Sequence, residues 1–292
     1  TVGIVGESGC GKSVTSLSLM QLLARPSGQT VGGEIRFNKG DGTAYNIVNT
    51  PNAIMEKIRG KEIGVVFQEP MSSMDPLIRI GEQVGEVLRI HTKLTAAERR
   101  EKALEAMASV DLENPEKVYR SYPHELSGGM LQRAMIAAAI ISEPSLLLLD
   151  EPTTALDVTI QAQILELIQE IQKNHGLTVV YITHDLGVVA GIADRVAVMY
   201  AGEIVEMGNK RDIFKNASHP YTQGLFDSLP AAAQGKSRLK PIKGLMPDPT
   251  NLPHGCKFAE RCSFCREACL NSEIPVVEIS TGHYVKCISR LE

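Results

Sequence analysis

Gly6-Glu7-Ser8-Gly9-Cys10-Gly11-Lys12-Ser13 is a run whose residue types suit one task, holding a polyphosphate. Glycines let the backbone curl so that several N–H groups face one anion. A helix that follows adds the positive end of its dipole at the same place. Lys12 is spaced to reach the β- and γ-phosphates, and the Ser13 hydroxyl to ligate Mg²⁺. Gly6, Ser8, Gly9, Cys10, Gly11, Lys12, Ser13 and Val14 are therefore the expected nucleotide contacts. The flanks agree, since Val2 to Val5 reads as a strand and Val14 to Met20 as a helix.

Other residues downstream have types that serve the same chemistry. Leu146 to Leu149 is an apolar run ending in Asp150, a carboxylate expected to face Mg²⁺ at a strand end. Glu151 follows directly, placed to take a proton from an attacking water or to orient it. Gln68 closes another apolar run, Ile63 to Phe67, and is a candidate for Mg²⁺ or that water. His184 ends the β-branched stretch Thr178 to Thr183 and is a candidate hydrogen-bond donor to the γ-phosphate. Leu126-Ser127-Gly128-Gly129 opens an apolar helix, so Ser127, Gly128 and Gly129 form a second anion cradle.

Positioning these residues takes strands that alternate with helices, the pattern of a mostly parallel sheet covered on both faces. Ala96 to Val110 reads as a helix with Leu104 and Met107 on its apolar stripe. Val158 to Lys173 reads as another, with Ile160, Ile164, Ile168 and Ile171 at helical spacing. Val196 to Met207 reads as a hairpin turning at Ala201-Gly202. The expected fold is thus an α/β P-loop NTPase core with a helical insertion and a small, irregular, cysteine-rich extension. Its expected domains are residues 1–70 and 145–215 for the core, 71–144 for the insertion, and 216–292 for the extension. Thr1 already stands at the start of a strand, so residues are expected to precede it.

The five features in this order resemble the nucleotide-binding subunits of ABC transporters along almost the whole chain. In that resemblance Gly6 to Ser13 is the Walker A motif, Gln68 the Q-loop, Leu126 to Met130 the signature, and Leu146 to Asp150 Walker B. Glu151 is the catalytic glutamate, Ala155-Leu156-Asp157 the D-loop and His184 the switch histidine. It implies an ATPase working as a head-to-tail pair, each ATP lying between one subunit's Walker A loop and the other's signature. It also implies contacts of Gln68 and the insertion with two transmembrane permease subunits. The aromatic residue that stacks on adenine in relatives belongs before Thr1. Leu131-Gln132-Arg133 departs slightly from relatives, which often place a basic residue first.

Three stretches resemble the oligopeptide, dipeptide and nickel importers within that family, with dipeptide importers nearest. They are Phe67 to Pro76, His219 to Leu225, and the tail from Gly255 to Cys287. The implied partner is a second, non-identical ATPase subunit, with an extracellular substrate-binding protein engaged indirectly. The implied place is the cytoplasmic face of the membrane, as a peripheral subunit energising peptide import, with nickel import as an alternative.

Six cysteines are present: Cys10 in the loop and five between Cys256 and Cys287, spaced C-x5-C-x2-C-x3-C before a gap of seventeen. Four thiolates from a proline-rich segment suit either tetrahedral Zn²⁺ or an iron–sulfur cluster. The family pattern uses Cys256, Cys262, Cys269 and Cys287, leaves Cys265 as an extra, and favours a [4Fe–4S] cluster over Zn²⁺. Such a centre is expected to staple a tail that lacks its own core. Cys10, beside Lys12 and a helix N-terminus, has a setting that lowers a thiol pKa, although filling space is the simpler role.

Composition limits the alternatives. Of 292 residues 43% are hydrophobic, enough for a packed core. No apolar run approaches the roughly 18–20 residues that span a bilayer, so a membrane role requires a partner. The net charge of −4 gives no nucleic-acid footprint. The tail from Ala231 holds nine Lys/Arg against six Asp/Glu, a net of +3, without an aromatic–basic stripe for stacking bases. An ABC ATPase acting on nucleic acid or the ribosome is the weaker alternative.

Overall fold

A computed structural model describes residues 1–154, 156–229 and 241–289. Ala155 of the expected D-loop lies outside them, as do Lys236, Arg238, Lys240, Arg290 and Glu292 of the tail's charge count.

In chain order, β1 (Val2–Val5) leads to α1 (Lys12–Leu19), and β2 (Arg36–Asn38) pairs with β3 (Ala44–Asn46). Next come α2 (Asn52–Ile58), β4 (Ile63–Val66), and the short helices α3 (Pro70–Ser73), α4 (Ile80–Val84) and α5 (Glu86–His91). The longer insertion helices are α6 (Ala96–Ser109), α7 (Pro115–Arg120) and α8 (Gly128–Ile140). The core resumes with β5 (Leu146–Asp150), α9 (Val158–His175), β6 (Thr178–Thr183), α10 (Leu186–Ile192), β7 (Arg195–Tyr200) and β8 (Glu203–Asn209). Beyond it lie α11 (Lys210–Asn216), α12 (Pro220–Asp227), α13 (Glu267–Asn271), β9 (Val277–Ser280) and β10 (His283–Val285). No helix among the described residues is long and apolar enough to cross a membrane.

The chain divides into two compact units, one formed by residues 13–182 and the other by 1–12 with 183–292. In the first, β4, β5 and β6 are parallel, with Val66 beside Leu149 and Asp150 beside Ile182. This register ends β4 and β5 at the same level, which carries Gln68 and Glu151 to one edge. Carboxyl ends of parallel strands are where such sheets place their ligands. Leu147, Leu148 and Leu149 are fully buried, as a strand covered on both faces requires.

Local chemistry sets the helix ends. Thr95 and Glu98 form a reciprocal capping box at the start of α6. Its buried stripe is Ala103, Ala106 and Met107, and Leu104 is half-buried at the margin, because the small alanines allow close packing where the longer leucine was expected. Asp157 caps α9 by accepting from Thr159 and Ile160 N–H groups, and Gly176 ends it at φ 62°. Ile164, Leu167, Ile168 and Ile171 make its buried face, with Ile160 half-buried.

In the second unit β1 runs parallel to β7, Val5 beside Val198. The expected hairpin forms between β7 and β8, turning at Ala201 (φ 45°) and Gly202 (φ 82°). The tail is more ordered than its prolines suggest. β10 pairs antiparallel with β8 and with β9. Tyr221 and Phe258 join Val5, Val198 and Tyr200 in one apolar cluster, with Tyr200 ring centres 4.6 Å from Tyr221 and 5.2 Å from Phe258. The tail thus packs by aromatic burial into a core that it shares with β1, β7 and β8.

Candidate functional site

The glycines of the phosphate loop are required by geometry. A Cβ on Gly6 would meet Met199 O at 2.2 Å, and Gly9 and Gly11 hold φ values of 83° and 107°. Lys12 is buried, its Nζ donating to Gly6 O at 2.9 Å and Glu7 O at 3.2 Å. Cys10 N–H also donates to Glu7 O, at 3.2 Å. Ser8 and Gly9 are exposed, and so is Val14 at 55%. Burial pushes the Cys10 thiol up, outweighing the attraction of Lys12, so a reactive thiolate is not what this pocket favours. The space-filling role fits it.

Residues 13–182 gather the carboxylates. Ser13 Oγ donates to Asp150 Oδ1 at 3.0 Å, and Ser16 Oγ to Asp150 Oδ2 at 3.0 Å. Both hydroxyls come from one face of α1, and Asp150 is only 5% exposed. Ser16 was missed in the sequence, although its i+3 spacing from Ser13 places it on that face. A carboxylate and a hydroxyl are hard oxygen donors of the kind Mg²⁺ takes.

Glu151 is 7% exposed and sits in the left-handed region at φ 47°. That conformation costs a non-glycine residue about 1–2 kcal/mol, a strain seen where a side chain must be aimed. The turn is held by Glu151 N–H donating to Ile182 O at 2.9 Å. On the carboxylate, Oε2 accepts from Thr154 Oγ1 at 3.0 Å and from Gln68 Nε2 at 3.4 Å. Gln68 and Glu151 thus meet as their strand ends require, and Thr154 is a further partner that its sequence position did not reveal.

His184 is exposed just past β6, in a turn where Asp185 N–H donates to Thr183 Oγ1 at 3.0 Å and Asp185 caps α10. Ser127 caps α8, accepting from Met130 N–H at 3.4 Å. Ser127 and Gly128 are exposed, so this cradle faces outward from its unit.

In the tail Cys256, Cys262, Cys269 and Cys287 line one small cavity together with His219, Phe258 and Ile274. Cys265 is exposed and outside that lining. Among the described residues no cysteine is in a disulfide. Burial pushes the Cys256 thiol up to about 11 and raises Cys262 as well. Among the described residues no group of three or more His, Cys, Asp or Glu is arranged to hold a metal ion. The expected metal centre is therefore not supported by this geometry. His219, itself buried, accepts from Tyr221 N–H at 3.1 Å through Nδ1, and burial holds it down near 4.

Known proteins resemble this chain in sequence and fold. Residues 1–154 match the ABC transporter family, and residues 205–269 match the oligopeptide/dipeptide transporter C-terminal region. The oligopeptide transport ATP-binding protein OppD of Bacillus subtilis is 48% identical over 287 residues, covering 98% of this chain and 79% of that protein. The dipeptide transport ATP-binding protein DppD of the same organism is 48% identical over 262 residues, covering 90% and 77%. A dimeric ATP-binding cassette solved in a post-hydrolysis state with ADP and Pi is 30% identical, with a TM-score of 0.61, covering 72% of this chain and 85% of that one. With its phosphate loop, its paired carboxylates and its C-terminal region all accounted for, the chain belongs to the ATP-binding, ATP-hydrolysing subunits of the ABC transporter family.

Proposed function

We propose that this chain hydrolyses ATP to energise the import of peptides through a membrane transporter. The match of residues 205–269 to the oligopeptide/dipeptide transporter region carries the reading, because that segment lies outside the general ATPase motifs. In this reading Gly6 to Val14 wrap the triphosphate, with Lys12 on the β- and γ-phosphates. Ser13 and Asp150, joined at 3.0 Å, would hold Mg²⁺ with Gln68, and the ion would neutralise phosphate charge. Glu151, held by Thr154 and Gln68, takes a proton from the attacking water or orients it. His184 donates to the γ-phosphate. Ser127, Gly128 and Gly129 serve the ATP of a second, non-identical subunit arranged head to tail.

Partners in the membrane are two permease subunits, contacted by Gln68 and the 71–144 segment, at the cytoplasmic face. The division into residues 1–70 with 145–215, 71–144 and 216–292 follows these roles. A binding protein on the far side chooses the cargo. Uptake of a labelled dipeptide by the reconstituted transporter, abolished by Lys12→Ala, is the expected result. Uptake of Ni²⁺ instead, or salt-sensitive binding of RNA by the chain, would overturn peptide import. Within the same proposal the four clustered cysteines take a [4Fe–4S] cluster, with Zn²⁺ as the alternative. Shared lining of one cavity supports it. Anaerobic purification with about four irons per chain supports the cluster. About one zinc supports the alternative. Neither metal removes both.

A further inference from the structure

Glu7 places a carboxylate inside a loop built for anions. Left alone it would repel the phosphates, since like charges at short range disfavour each other. Its partner comes from the far end of the chain. Arg261 Nη1 donates to Glu7 Oε2 at 2.7 Å and Nη2 to Oε1 at 3.1 Å, a two-pronged pair. The guanidinium has little freedom to leave. Nε donates to Lys243 O at 2.9 Å, Nη1 also reaches the Tyr200 hydroxyl at 3.3 Å, and its side chain is 6% exposed. Its central carbon lies 5.7 Å from the Tyr200 ring centre and 5.9 Å from that of Phe258.

A second tail residue grips the same point. Glu7 N–H donates to the hydroxyl of fully buried Tyr221 at 2.9 Å. The remaining backbone group, Glu7 O, receives Lys12 Nζ and Cys10 N–H. Glu7 is thus fixed by the tail on two sides and supports the phosphate-binding lysine on the third. We propose that Arg261 is a positioning residue for ATP: it neutralises Glu7 and, with Tyr221, fixes the loop on which Lys12 rests. The C-terminal tail then sets nucleotide affinity. This rests on the loop binding ATP, and its failure leaves the peptide-import reading untouched.

The test is a double-mutant cycle on the full chain, reading ATP affinity by equilibrium titration with Mg²⁺ and ATP, and kcat and KM for hydrolysis. Arg261→Met is expected to weaken ATP binding about tenfold, a moderate loss because Glu7 is partly exposed. KM should rise more than kcat falls, and the deficit should shrink at high salt. Adding Glu7→Gln removes the repelling charge and should restore most of the affinity, which a merely structural arginine would not allow. Should Arg261→Met fail to fold, Arg261→Gln runs the same cycle, again without the charge and with a polar group for the buried site. Parent affinity in the arginine variants overturns the proposal, as does a double variant no better than the single one.

Discussion

Glu151 illustrates how much of the chemistry is set by one backbone angle. Its φ of 47° turns the carboxylate away from the path of β5, toward the hydroxyl of Thr154 and the amide of Gln68. Glutamine has the same length and meets the same conformational cost, and its amide oxygen can still accept from both partners. Glu151→Gln is therefore expected to leave fold and ATP affinity near the parent values while removing the base that the proposed function assigns to it. Phosphate release should fall by about 100-fold or more, read with radiolabelled ATP. Hydrolysis at the parent rate would move the base elsewhere. The residues of this centre differed in how readable they were. Lys12, Ser13 and Asp150 stand in contiguous motifs whose order is their meaning. Ser16 and Thr154 are hydroxyls of common types, and only the fold shows which carboxylate they serve.

At the scale of elements, β8 shows why the tail was misread. Glu206, in the middle of this strand, is 1% exposed and has three hydrogen-bond partners. Oε1 takes Ser218 N–H at 2.8 Å and His283 Nε2 at 2.8 Å, and Oε2 takes His219 N–H at 3.0 Å. One side chain thus joins β8, the start of α12 and β10. A buried acid in a strand reads from sequence as solvent-facing, and a three-residue strand such as His283–Val285 carries too little periodicity to be seen. Longer α8 and α9, and the leucines of β5, were legible because their pattern repeats. Glu206→Gln sets an amide N–H₂ against at least one donor. Stability should drop by about 1–3 kcal/mol, read as a lower urea midpoint with an unchanged slope. An unchanged midpoint would show that the junction contributes little.

For the molecule as a whole, the question is whether residues past α11 are an appendage or part of the ATPase. Tyr221 and Phe258 are buried against Val5 and Val198, strand residues that lead into the phosphate loop and the β7–β8 hairpin. Burial of each such side chain contributes about 1.5–3 kcal/mol, before the bonds to Glu206 and Glu7 are considered. Losing both, about 3–6 kcal/mol, reaches the lower end of an ordinary domain's stability, about 5–15 kcal/mol. β8 would also lose its pairing with β10 and present an open edge, the usual start of aggregation. A chain ended after Asn216 is therefore expected to accumulate as insoluble material, or to be digested rapidly by a protease that leaves the full chain intact. Recovery of a soluble, cooperatively unfolding ATPase of that length would show that the tail merely decorates a self-sufficient core. In that case the contacts of Arg261 and Tyr221 with Glu7 would adjust the phosphate loop without being needed to form it, and the tail would act on ATP affinity alone.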